Sequence, residues 1–91
     1  MFKPLRIIPS KCIVKVYRLF FNVSTHFDIN YIAVDKDGSI NVFEEIPKIF
    51  SGEYSEQFYW ESKPYKRIGR IEYEGDWKDS LTTEFEVIIN D

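Results

Sequence analysis

The sequence predicts a mainly β fold: one small domain, 1–91, built on an antiparallel sheet of about five to six strands with at most a short helix or 3-10 turn, the alternative being α+β. Three observations lead there. Apolar residues recur with a period of two along most of the chain, as they must when one strand face is buried and the other wet. The stretches between these runs are broken by Pro47, Gly52 and Pro64, which leaves no room for a helix of ordinary length. The composition, 44% hydrophobic and 18% aromatic with eight Phe, six Tyr and two Trp, favours pleated, half-buried surfaces and supplies enough apolar area for one core.

Taken in order, residues 13–23 are rich in Val, Ile and Phe and read as the first strand. Residues 29–35 and 39–45 form the next pair, within a hairpin spanning 29–45. Its centre, Asp35-Lys36-Asp37-Gly38, supplies a type I turn followed by a glycine in the left-handed region, the chemistry of a short hairpin connection with a bulge. Residues 57–61, 67–74 and 83–90 complete the set. In the last of these Phe85, Val87 and Ile89 share one face, with Glu84, Glu86 and Asn90 opposite. Residues 76–81 allow one short helical turn, with Asp76 as its N-cap and Asp79 three residues on.

The same DKDGS centre resembles a calcium loop. With Gly38 at the sixth position, Asp35 and Asp37 fall at the third and fifth and Glu44 at the twelfth, but Ala33 stands at the first, where the opening ligand belongs. The flanks alternate like strands where such a loop needs helices. The hairpin reading is preferred, and no metal or cofactor is expected.

Charge is uneven. The basic N-terminal segment, 1–18, carries a local +5 with no acid, which leaves −8 for the remainder of a chain of net charge −3. An aromatic and basic segment, 57–74, is followed by an acidic C-terminal segment, 71–91, with seven acids against Lys78. Opposite ends of a small domain attract one another, so a solvated face is the plain reading; a binding surface is the sharper one. The single Cys12 excludes an internal disulfide, and with no CxxC or Cys/His cluster the chain suits a reducing cytoplasm. The Asn22-Val23-Ser24 sequon carries no weight without a signal peptide, and the apolar run 13–23 is too short and too charged to span a bilayer.

Signatures of catalysis are thin. His26 has Ser24 and Asp28 two residues away on either side, a spacing that reads as a turn rather than a triad. The pairs Glu44-Glu45 and Glu72/Glu74 suit exposed strands better than acid/base work. There is no GxGxxG, no GK[ST] loop and no nucleophile elbow. Phe58-Tyr59-Trp60, next to Lys63, Tyr65, Lys66, Arg67 and Arg70, is the most informative cluster, because aromatics interleaved with bases stack on nucleobases while holding phosphates. Packing claims Phe58 and Trp60, which share a strand face, and leaves Tyr59 for either packing or binding.

The succession YIAVDKDGSINVFEEIPKI, then FYWES, then IGRIEYEGDWKDSL covers 31–81 and resembles a pattern in small accessory proteins of tailed bacteriophages and prophages, with a D-x-D-G hairpin and a closing W-x-D-S-L. The resemblance implies a protein made in the host cell, in a class that includes host-takeover proteins and inhibitors of host enzymes and of antiviral defence. It brings no catalytic residues. In GDWKDSL, Gly75 frees the backbone, Asp76 caps a turn, and Trp77 and Leu81 bury together against the sheet.

The functional expectation is therefore a non-catalytic, cytoplasmic protein that binds and modulates a host protein through an acidic face formed by Glu72, Glu74 and Glu86. The alternative is a nucleic-acid or anionic small-ligand module using Tyr59, Lys63, Lys66, Arg67 and Arg70. The sequence leaves the oligomeric state open, a homodimer through an edge strand included.

Overall fold

The run at 13–23 folds back on itself. In a computed structural model, which describes residues 11–51 and 58–89, β1 (Cys12–Val16) and β2 (Leu19–Val23) are an antiparallel hairpin closed by Tyr17 and Arg18, both at positive φ, 52° and 64°. Two consecutive left-handed residues match the right-handed twist of the strands they join, even though neither is the glycine or asparagine usual in such turns. Tyr17 holds its place through its hydroxyl, which donates to the Ser80 carbonyl, and through an edge-on contact with Tyr73 at 5.6 Å.

The strands β3 (Tyr31–Val34) and β4 (Ser39–Phe43) form the expected hairpin. Gly38 N donates to the Asp35 carbonyl at 2.9 Å, Asp35 N donates to the Ser39 carbonyl at 2.8 Å, and Gly38 sits at φ 90°. Glycine is required there twice over, since a Cβ at this position would lie 2.3 Å from the Ile71 carbonyl oxygen.

Further strands are β5 (Lys48–Ser51), β6 (Phe58–Glu61), β7 (Tyr65–Arg70) and β8 (Glu86–Ile89), with a single 3-10 turn at Trp77–Asp79. The described residues thus hold eight strands in three antiparallel sheets, β2-β1-β8, β3-β4-β7 and β5-β6. The mainly β class, the antiparallel pairing and the short 3-10 turn are as expected; the strands exceed the expected five to six because the first run is a hairpin and β5 pairs with β6. Strand β7 also starts and ends earlier than the expected 67–74. The basic residues Lys3 and Arg6, and the strand ends at Gln57 and Asn90, lie outside the described residues, as do the side chains of Phe58 and Ile89. No helix among the described residues is long and apolar enough to cross a membrane.

The central sheet is covered on both faces. Ile32, Val34, Ile40 and Val42 pack against Cys12, Val14, Val16 and Val23 of the first sheet. On the other face Ala33 and Phe43 pack under Trp60, with Tyr31, Trp77 and Leu81 around them. All five residues of β4 are buried in consequence, so this strand reads as a continuous run rather than as an alternation. Each large side chain so enclosed contributes about 2 kcal/mol.

The segment 76–82 closes the structure. Asp76 accepts from Lys78 N at 3.0 Å and so caps the 3-10 turn, as expected; Trp77 packs edge-on to Trp60 with ring centroids 6.5 Å apart. Beyond it, Ile32 and Thr82 exchange two backbone hydrogen bonds of 2.8 and 3.1 Å, covering the outer edge of β3.

A candidate ligand-binding groove

The pairing of β4 with β7 sets the face on which the site is built. Along β4 and β7, Phe43 faces Tyr65, Asn41 faces Arg67 and Ser39 faces Arg70, while Ile68 is skipped between Arg67 and Gly69. Arg67 shares the face of Tyr65 by simple alternation, and the bulge adds Arg70, three residues further on, to that face. Val42 faces Lys66, which the same register puts on the opposite face.

Between this face and β6 lies an open groove of about 840 Å³. Its floor is polar: Asp35, Ser39 and Asn41, the last two buried. Its walls include Tyr59, Trp60 and Tyr65, and Lys63 and Arg67 line it as well. Lys36, Asp37 and Glu61 complete the charges, three cations against three acids when Asp35 is counted. Trp60 is 9% exposed and anchored in the core; Tyr65, 58% exposed, has its ring against Phe43, at 6.2 Å between centroids.

The carboxylate of Asp35 ties the floor together. It accepts from Trp60 N at 2.8 Å and from Asn41 Nδ2 at 2.9 Å, so the hairpin turn, the central strand and β6 meet at one side chain. Burial nevertheless pushes its pKa above the usual carboxylate value, against the pull of those two hydrogen bonds. Asp37 goes the other way: the hydrogen bond from Ser39 N, 2.8 Å, holds it below the usual value, with Arg70 and Arg67 adding a smaller effect. Asp35 and Asp37 of the calcium-like motif are thus both held by hydrogen bonds, and among the described residues no three His, Cys, Asp or Glu side chains converge as metal ligands.

Of the basic and aromatic residues singled out in the sequence, the groove gathers Tyr59, Trp60, Lys63, Tyr65 and Arg67. Arg70 is drawn to the hairpin tip, where its Nε donates to the Asp37 carbonyl at 2.9 Å, and Lys66 lies off the groove. The three acids are not brought together. Glu72 and Glu74 are exposed on the loop after β7, beside the hairpin tip, whereas Glu86 is on β8 in the first sheet, opposite Lys15. His26 is exposed on the loop between β2 and β3; Thr25 beside it is buried, and its hydroxyl donates to the Phe27 carbonyl at 2.9 Å. Cys12 faces the core, and burial raises its thiol pKa, which makes it a poor nucleophile. Asn41 and Asp35 were not legible as groove residues; a polar residue inside the apolar run 40–43 is the one signal that marks Asn41.

Fold and groove define the chain as a small antiparallel β domain with a polar, aromatic-walled cleft. No protein-family model matches it, and no curated protein or solved structure does either.

Proposed function

We propose that the chain is a non-catalytic binding module whose groove takes a compact anion carrying a flat ring, of the chemical class of a nucleoside monophosphate. The observation that supports this most is the meeting of Tyr59 and Tyr65 with Lys63 and Arg67 over a hydrogen-bonding floor. Aromatic faces stack on a base, and a lysine and an arginine hold a phosphate as point charge and fork respectively. The balance of charge argues for a small ligand over a long strand. A polyanion needs a basic track, and here Asp35, Asp37 and Glu61 offset Lys36, Lys63 and Arg67. The volume is in the ordinary range for a small-molecule cleft.

Titration of the intrinsic tryptophan fluorescence with a nucleoside monophosphate, the matching nucleoside and inorganic phosphate tests the reading. The monophosphate binds best, and Arg67→Ala weakens it about tenfold or more, as loss of a charge-assisted hydrogen bond requires. Equal, weak responses to all three ligands, unchanged by Arg67→Ala, would contradict it.

A host protein remains the second reading, favoured by the exposure of Glu72, Glu74 and Asp76 on one loop beside the hairpin tip. Under that reading Glu72→Lys with Glu74→Lys abolishes capture of a partner from bacterial lysate, and Arg67→Ala does not.

A further inference from the structure

Among the described residues, the first sheet is covered by the core on one face and by nothing on the other. On that outer face are Ile13 and Lys15 of β1, Phe20 of β2, and Glu86 and Ile88 of β8. Phe20 is 64% exposed and Ile88 45%, high values for apolar side chains, and they flank β1 from the two outer strands of the sheet. Lys15 holds its ammonium 5.6 Å from the centre of the Phe20 ring.

The register makes this face complementary to itself. Ile13 pairs with Ile88 and Lys15 with Glu86, each pair at one level across β1 and β8. A two-fold axis running along the strands, midway between β1 and β8, turns each strand onto the other in a second copy. Lys15 then meets the partner's Glu86, Ile13 meets the partner's Ile88, and both contacts occur twice, as an isologous interface demands. Phe20, one strand further out, closes the rim beside the partner's β8. Sheets stacked face to face with nearly aligned strands are an ordinary packing mode.

We infer that the outer face of β2-β1-β8 is a homodimer interface, its occupant a second copy of this chain paired through Lys15 to Glu86 and Ile13 to Ile88. A partner of strong single-sign charge fits less well, because the face carries one cation and one anion at matched positions. The groove lies on the far side of the central sheet and stays open in both copies. A face of three short strands is small, so the dimer is weak, with Kd on the order of 10–100 µM.

Sedimentation equilibrium of the whole chain from about 10 µM to about 1 mM provides the test, in the range where a dimer of that affinity forms and dissociates. The 10.9 kDa chain approaches twice its mass at the upper end. Lys15→Glu and Glu86→Lys each weaken association at least tenfold, the double exchange restores it, and Phe20→Ser weakens it with both charges in place. Circular dichroism on every variant verifies that the sheet is intact. A monomer throughout the range overturns the inference, as does a dimer indifferent to the single exchanges or a double exchange that fails to recover association.

Discussion

The hydroxyl of Ser80 accepts from Val34 N at 2.8 Å and donates to the Val34 carbonyl at 3.1 Å, so one side chain does along the edge of β3 what a neighbouring strand would do. Ser80 is buried, and its own carbonyl receives the Tyr17 hydroxyl. The closing segment therefore joins the first hairpin to the central sheet, and two backbone groups depend on one oxygen. Ser80→Ala leaves both without a partner in the interior and costs about 2–3 kcal/mol. Urea denaturation measures it. A midpoint equal to the parent's would mean that water replaces the hydroxyl.

The turn at Tyr17 and Arg18 stores conformational strain that can be removed on one side. Arg18 is exposed at φ 64°, where a side chain is unfavourable and glycine is not. Arg18→Gly is expected to raise stability by about 0.5–1 kcal/mol, whereas Tyr17→Phe, which deletes the hydrogen bond to Ser80, lowers it by about 1 kcal/mol. Thermal melts of the two variants move in opposite directions. A fall in melting temperature for Arg18→Gly would show the turn to be unstrained.

Gly38 has no such freedom. A methyl group there meets the Ile71 carbonyl at 2.3 Å and must be accommodated at positive φ by moving backbone that also carries the Ile71 N to Gly38 carbonyl hydrogen bond, 2.8 Å. Gly38→Ala costs about 2 kcal/mol or more. The denaturant midpoint reports it, and no change would mean that the loop after β7 shifts freely.

The two acids of the hairpin give opposite pH dependences. Asp35, raised by burial, binds its proton more tightly in the folded chain. Its contribution is fully present below the unfolded pKa, about 3.9, and is lost as pH rises through the folded value. Asp37, lowered by the Ser39 hydrogen bond, contributes stability above about 3.9 that is lost as pH falls through its folded pKa. Unfolding free energy followed from acid to neutral pH separates them: the parent loses ground to Asp35→Asn as pH rises and gains ground on Asp37→Asn. Parallel curves for parent and variants would remove the basis for either shift.

The hairpin at Asp35–Gly38 was legible because its turn chemistry is local: two aspartates and a glycine dictate the dihedral angles and supply the closing hydrogen bonds. The hairpin at Tyr17 and Arg18 was not, since a tyrosine and an arginine carry no turn signal, and what holds Tyr17 is Ser80, 63 residues away. Strand β5 was missed because it is four residues long and follows Pro47. At the site, Tyr59, Lys63 and Arg67 are close in sequence and could be grouped by eye. Their floor could not, as Asp35 reaches Trp60 N across 25 positions and the pairing of Arg67 with Asn41 joins strands far apart in the chain.

The reading of the groove rests on where a ligand sits, and nitrogen-15 correlation spectra of the labelled chain locate it most directly. On addition of a nucleoside monophosphate, the expected shifts are at Ser39, the Asn41 side-chain amide, Tyr59 to Lys63 and Arg67, with the loop bearing Glu72 and Glu74 unmoved. Shifts centred on that loop, or none at millimolar ligand, would contradict the assignment of the groove.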